Sequence, residues 1–181
     1  NHEVVIGRKG IGTYKFQVTG LAAHAGNHYV DGIDANKIAA LILLELINLT
    51  NLSQGTTVNP GKINGGIGAN TISPHAEIVV ELRFNQKAER DRVLGAFQQI
   101  QKKEWAPGAK IELFGKLQRE VMEPSSAQKD FLEEIDQLLG YTLPTETRGG
   151  VSDANTVSAA GVPTLDGFGP FGDGDHSVDE R

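Results

Sequence analysis

Two histidines lie in glycine-containing loops, where an imidazole can reach a ligand instead of packing in a core. His24 follows the first clear strand, in the segment 20–26 (GLAAHAG). An imidazole here could donate a hydrogen bond to a developing oxyanion or shuttle a proton. His176 lies in the acidic segment 172–180 (GDGDHSVDE), where it could ligate a metal while a nearby acid orients its second nitrogen. The alternative for both is a structural or merely exposed loop histidine.

Asn70 and Arg83 flank a predicted strand and could both contact a substrate. A guanidinium at the far end of such a strand could hold a carboxylate by two-point contact. The alternative is an arginine that pairs with Glu81 or Glu77 on the surface of a sheet.

A pair of glycines, Gly149 and Gly150, precedes a predicted short helix that starts near Asp153. Backbone N–H groups ahead of a helix can face an anion. Ordinary capping by Ser152 or Asp153 explains the same residues without a function.

The composition restricts which metals, partners and environments suit the chain. It has 181 residues, a formal net charge of −6 and no cysteine, so any metal must be held by His, Asp or Glu. The acidic balance argues against nucleic acid as a partner. The longest apolar run, 38–44, is far shorter than the ~20 residues of a membrane span. Because the sequence starts with Asn1 and not with Met, we expect a piece of a longer protein. For its compartment we favour the cytoplasm over export.

Hydrophobic periodicity predicts a ferredoxin-like α/β sandwich over residues 4–114, in which two helices cover one face of a sheet. Tyr14, Phe16 and Val18 alternate with polar residues, as in a half-buried strand. The predicted order is β-α-β-β-α-β, over residues 13–19, 33–49, 56–63, 76–84, 87–105 and 110–114.

The first predicted helix, 33–49, is apolar nearly all the way round. We expect one side to face the core and another side, with Leu41 and Leu44, to face a partner subunit. The alternative is a helix buried entirely within one chain. Asp31 or Gly32 could cap its first turn.

From residue 115 the pattern changes to a second unit, 115–181, with few core elements. Roughly 65 residues of this kind are marginal as an independent domain. We therefore expect part of a domain whose remainder lies outside the sequence. The predicted elements are a helix to Leu139, a segment at 145–148, a short helix after Asp153 and an apolar strand at 162–165.

Taken in order, the motifs resemble those of one enzyme family: the dizinc metallopeptidases that include aminoacylases, glutamate carboxypeptidases and succinyl-diaminopimelate desuccinylases. In that family a ferredoxin-like lid, which is also the dimerisation domain, is inserted in a zinc-bearing α/β catalytic domain. The resemblance implies that 4–114 is the lid and 115–181 the C-terminal portion of the catalytic domain. It rests on GRKG at 7–10, GxxxHAG at 20–26, GG at 65–66, NTISP at 70–74, ELRF at 81–84, GGVSD at 149–153 and HS at 176–177.

The resemblance implies that the lid contacts the substrate. His24 would reach across a homodimer into the partner's active site and donate a hydrogen bond to the tetrahedral oxyanion. Asn70 would contact the substrate from the same side. Arg83 would bind the terminal carboxylate of the substrate, and Arg119 would match a further anion-binding arginine.

The resemblance also implies roles for the second unit. Gly150 would line the substrate pocket through its backbone, and His176 would be a zinc ligand. Val151 stands where desuccinylase-like members carry a hydroxyl residue, so we expect no side-chain hydrogen bond to the substrate at this position. In that family the other ligands of the two zinc ions and the glutamate base precede the lid, and the sequence contains no such region before Asn1. We therefore expect this chain alone to be inactive.

The activity implied for the complete protein is zinc-dependent hydrolysis of the amide bond in a small anionic peptide or an N-acyl amino acid. Two alternatives from other classes are a non-catalytic homodimerisation module and a ligand-binding module. The joint presence of His24, Asn70, Arg83 and His176 favours the enzyme, because a scaffold has no need for all four.

Overall fold

The computed structural model of the chain describes residues 3–169, which fall into two compact units. We call Lys9–Val121 the sheet unit, and residues 3–8 with 122–169 the split unit. In chain order the elements are β1 (Val4–Arg8), β2 (Gly10–Thr19), α1 (Ala35–Ile47), β3 (Thr57–Gly65), β4 (His75–Phe84), α2 (Lys87–Lys102), β5 (Lys110–Arg119), α3 (Ser126–Leu139), β6 (Thr145–Arg148) and α4 (Asp153–Ala159).

The sheet unit contains a four-stranded antiparallel sheet in the order β3-β4-β2-β5. The buried residues of α1 and α2 join those of the strands in one apolar core. The elements of this unit follow the predicted β-α-β-β-α-β order, so the ferredoxin-like fold is confirmed.

The alternation of side chains along β2 and β4 explains this core. Tyr14 pairs with Val80 and Phe16 with Ile78, and all four are buried because directly paired residues share one face of a sheet. Phe97 of α2 packs on them, with its ring centroid 5.4 Å from those of Tyr14 and Phe16 in edge-to-face geometry. Such aromatic contacts contribute about 0.5–1.5 kcal/mol each beyond the area they bury.

Helix α1 has one buried and one exposed apolar side, as the sequence indicated. It begins at Ala35, later than expected, because Asp34 is the N-cap and its carboxylate accepts hydrogen bonds from the N–H groups of Asn36 and Lys37. The residues facing the core are Ala35, Ile38, Ala39, Ile42 and Leu46, whereas Leu41, Leu44 and Ile47 are 43%, 59% and 48% exposed.

Strand β5 is longer than the sequence suggested, because Gly115 lies inside it instead of ending it. Its φ of 116° and the 2.2 Å that would separate a Cβ from the carbonyl oxygen of Thr13 leave room only for glycine. The strand therefore continues through the glycine to Arg119.

The split unit is built around a short parallel pair, β1 with β6. Antiparallel bridges join Val5 to Asp166 and Arg8 to Met122. Ser125 caps α3 in a reciprocal capping box with Gln128, and the helix ends at Gly140 as predicted. The sequence did not indicate β1, and residues 162–165 form no strand.

The limits of the sheet unit are 9 and 121, where the sequence suggested 4 and 114. They differ because β5 continues to Arg119 and because Val4–Arg8 pairs with β6.

None of the helices between residues 3 and 169 has the length and apolar character that a membrane span requires.

Candidate functional site

His24 and Asn70 lie on two backbone segments that are hydrogen-bonded to each other beyond the end of β2. The N–H of Ala25 donates to the carbonyl oxygen of Asn70 at 3.0 Å, and the N–H of Ile72 donates to that of Ala23 at 2.9 Å. These bonds fix the two segments side by side. The structure thus brings together two of the residues selected from the sequence.

The imidazole of His24 is held in one orientation by its own loop. Its Nδ1 accepts hydrogen bonds from the N–H groups of Gly26 and Asn27, at 3.1 and 3.2 Å. Because backbone N–H groups only donate, Nδ1 must lack a proton, and the hydrogen of the neutral ring lies on Nε2. The exposed ring can therefore offer an N–H donor to a ligand.

Arg83 and Arg119 lie in one row on the face of the sheet away from the helices. Ile11 of β2 is the direct partner of Arg83 on one side and of Arg119 on the other. Two strand spacings separate the arginine Cα atoms by roughly 10 Å. The two candidate anion-binding residues thus lie on one surface, on either side of β2.

The guanidinium of Arg83 is paired with a carboxylate of its own strand. Its Nε donates to Oε1 of Glu81 at 2.7 Å, and the Arg83 side chain is 35% exposed. This is the ion pair that the sequence allowed as the alternative to substrate binding. A substrate carboxylate would have to share or displace Glu81.

The candidate residues of the sheet unit form two groups at opposite ends of the sheet. Thr19 pairs with His75 at one end, next to His24 and Asn70, whereas Ile11 pairs with Arg83 at the other. The eight residue steps of extended strand from His75 to Arg83 span roughly 27 Å. The structure therefore does not bring Arg83 near the His24 and Asn70 of its own chain.

In the split unit, Gly150 lies in the loop between β6 and α4 and is held by a residue to which the sequence assigned no role. Nη1 of Arg8 donates to the carbonyl oxygen of Gly150 at 2.9 Å, and Nε of Arg8 donates to Asp166 at 2.6 Å. The hydroxyl of Ser152 donates to the same Asp166 oxygen, also at 2.6 Å. Arg8 was visible in the GRKG motif, whereas nothing in the sequence indicated Asp166.

The carboxyl of Asp166 has a pKa below its usual value of 3.8. Burial raises this pKa. The hydrogen bonds from Ser152 and from the Gly167 N–H, together with the hydrogen bond and charge of Arg8, lower it by more than burial raises it. Asp166 is therefore ionised at neutral pH.

The remaining candidate, His176, lies outside the described residues. Between residues 3 and 169 no group of three or more His, Asp or Glu side chains could hold a metal ion. The donor set of that part of the chain does not fit a zinc ion, and we assign no catalytic step to zinc on its residues.

Comparisons with known proteins find a matching family model and similar sequences. Residues 6–109 match the peptidase dimerisation domain family. The chain is 30% identical over 186 residues to succinyl-diaminopimelate desuccinylase of Acidiphilium cryptum. This alignment covers 98% of this chain and 48% of the relative. It is 23% identical over 184 residues to carboxypeptidase G2 of a Pseudomonas species, covering 98% and 44%.

A solved structure shows the same fold. Aminopeptidase PepT of Bacillus cereus matches with a TM-score of 0.77 and 23% identity, over 99% of this chain and 48% of that one. The chain spans less than half the length of each of these three proteins.

We predict opposite tautomers for two histidines of the same loop. Nδ1 of His28 lies 3.1 Å from a carboxylate oxygen of Asp31, which accepts, so Nδ1 of His28 must donate, whereas Nδ1 of His24 must accept. Long-range ¹H–¹⁵N spectra in slightly alkaline solution, which favours neutral imidazole, should show the proton on Nε2 in His24 and on Nδ1 in His28. A proton on Nδ1 of His24 would contradict the geometry of its loop.

Proposed function

Because the chain belongs to the peptidase dimerisation domain family, we propose that it is the dimerising and substrate-contacting part of an amide hydrolase. This membership confirms the resemblance found in the sequence. The substrate is a short peptide or an N-acyl amino acid. The observation that carries the proposal is the hydrogen-bonded pairing of the two backbone segments that bear His24 and Asn70.

His24 acts as the oxyanion donor. Its Nδ1 is engaged by the N–H groups of Gly26 and Asn27, so Nε2–H is the group left to face the reacting carbonyl oxygen. A donor that is fixed before the reaction needs no reorganisation as charge develops on that oxygen, which is why such donors accelerate acyl transfer. Asn70 contacts the substrate beside it.

The active site is shared by two copies of the chain. Arg83 binds the substrate carboxylate with Arg119 beside it, but the length of β4 separates them from His24 and Asn70 of the same chain. A short substrate cannot span roughly 27 Å of strand. The Arg83 end of one protomer therefore meets the His24 end of the other at each substrate.

Zinc is the cofactor of the complete protein in this proposal. His176 is one ligand, and the other ligands and the general base belong to parts of the complete protein outside residues 1–181. Residues from 122 onward are then the C-terminal portion of the catalytic domain, with Gly150 in the substrate pocket. Bound zinc would supply polarisation of the scissile carbonyl.

The exposed side of α1 is the surface through which the homodimer forms. Leu41, Leu44 and Ile47 form an apolar stripe on this side, and Ile63 of the neighbouring edge strand β3 is 52% exposed. Several large apolar side chains exposed together on one surface are typical of an interface between subunits. The same self-association would join the two halves of the active site.

The function is tested with the protein expressed from its complete gene and loaded with zinc. We expect hydrolysis of N-acyl amino acids or dipeptides with a free carboxylate. His24→Ala should lower kcat by about 100- to 1000-fold, because it removes an oxyanion donor. His28→Ala is the matched control and should leave kcat unchanged, since His28 pairs with Asp31. A protein that forms dimers but hydrolyses no member of the panel would support the non-catalytic homodimerisation module instead.

The interface is tested on the chain itself. Leu44→Asp places a charge in the centre of the exposed α1 stripe, so it should convert dimers into monomers of unchanged helix content, measured by light scattering and circular dichroism. Gln98→Asp, at an exposed position of α2, is the control and should remain dimeric. If Leu44→Asp leaves the dimer intact, the interface lies elsewhere.

A further inference from the structure

A charged cluster in the split unit surrounds the carboxylate of Asp166. Its Oδ2 accepts hydrogen bonds from Nε of Arg8 and from the hydroxyl of Ser152, both at 2.6 Å. Its Oδ1 accepts from the N–H of Gly167 at 2.7 Å. Both oxygens of the carboxylate thus accept hydrogen bonds. The pair of Arg8 and Asp166 joins positions that are 158 residues apart in the sequence.

Two members of this cluster fix the loop that carries Gly150. Arg8 donates from Nη1 to the carbonyl oxygen of Gly150. At the other end of the loop, the Ser152 hydroxyl accepts from the N–H of Ala154, so it caps α4 while it donates to Asp166. The loop from Gly149 to Ser152 is therefore restrained at two points by one carboxylate.

The two glycines of the loop are not enclosed by the part of the chain that the structure describes. A Cβ on Gly149 or Gly150 would have no atom of residues 3–169 within 4 Å, and neither glycine has a positive φ. Among these residues, neither space nor backbone conformation thus requires glycine at either position. Glycine loses more conformational entropy on folding than other residues, so a pair of them in a loop needs another reason. The close approach of a ligand to the backbone supplies one.

The charges of the cluster are suited to holding this loop at neutral pH. The Arg8 side chain is 11% exposed and that of Asp166 is 27% exposed, so the ion pair is only weakly screened by solvent. Removal of one partner would leave the other charge partly buried without compensation. The arrangement is therefore sensitive to the loss of either residue.

We infer that Asp166 is a positioning residue, which through Arg8 and Ser152 holds the backbone of Gly149 and Gly150 in the conformation that binds substrate. The inference rests on the proposed function, which assigns Gly150 to the substrate pocket. Asp166 itself touches no reacting atom. Its effect is on the order of the loop before substrate arrives, so it lowers the conformational cost of binding.

The first arm of the test measures the order of the loop in this chain. Asp166→Asn keeps the shape of the side chain and removes its charge. Amide exchange at Ser152 and Ala154, whose N–H groups are hydrogen-bonded at the end of the loop, should become about tenfold faster as the loop opens locally. Glu146→Gln is the control, because it removes a carboxylate that pairs with Arg148 of the same strand. Unchanged exchange in Asp166→Asn would overturn the inference.

The second arm measures kinetics in the zinc-loaded protein expressed from its complete gene. Asp166→Asn should reduce kcat/KM by about 10- to 100-fold, mainly through KM, because a misplaced loop weakens binding of substrate and transition state alike. Ser152→Ala, which leaves the Arg8–Asp166 pair in place, should also raise KM. Ser152→Thr keeps a hydroxyl at this position, so its KM should stay close to that of the wild-type protein. This second pair of variants decides the question if Asp166→Asn does not fold.

The two arms separate failure of the inference from failure of the proposed function. Faster loop exchange with unchanged KM would show a cluster that stabilises the fold alone, and would overturn the inference while the hydrolase proposal stands. A wild-type protein without hydrolase activity would contradict the proposed function and with it the substrate role of Asp166, whereas the exchange rates would still decide whether the cluster orders the loop.

Discussion

The register between β2 and β4 is the constraint on which the placement of the candidate residues depends. Each buried side chain of β2 faces a buried partner on β4, as Phe16 faces Ile78. A shift by one residue would turn every apolar side chain of a strand towards solvent, so the core permits one register. That register places Thr19 beside His75 and Ile11 beside Arg83. The ends of the sheet, and the polar groups at each end, follow from the packing of the core.

This separation makes self-association part of the proposed chemistry. His24 can donate to the oxyanion only if the scissile carbonyl of a bound substrate reaches it. The candidate site for the substrate carboxylate, at Arg83, lies at the other end of the sheet. In the proposed dimer two copies would resolve this geometry, since each would contribute a different end. The exposed apolar stripe of α1, with Leu41 and Leu44, would give the association its physical cause. Substrate contact and dimerisation then depend on one another.

The sequence predicted the sheet unit well, because its signals are local. Alternation along Tyr14, Phe16 and Val18, and the helical spacing of the α2 residues, each report a neighbourhood of a few positions. The signals that failed are those in which distant parts of the chain decide the outcome. Arg8 and Asp166 pair across 158 positions, and Gly115 continues a strand because the backbone of Thr13 lies against it. Likewise, the residue types were compatible with the Arg83–Glu81 pair, but only the structure shows the pair formed.

The measurement that tests the central claim most directly uses mixed dimers of the protein expressed from its complete gene. A His24→Ala chain and an Arg83→Ala chain, each with its own tag, are co-expressed and the heterodimer is purified through both tags. If the site is shared, one of its two sites keeps both residues, so the heterodimer should have about half the activity of the wild-type dimer, although both variant homodimers are defective. A heterodimer no more active than the variant homodimers would show that His24 and Arg83 of one chain serve the same site, and would contradict the account.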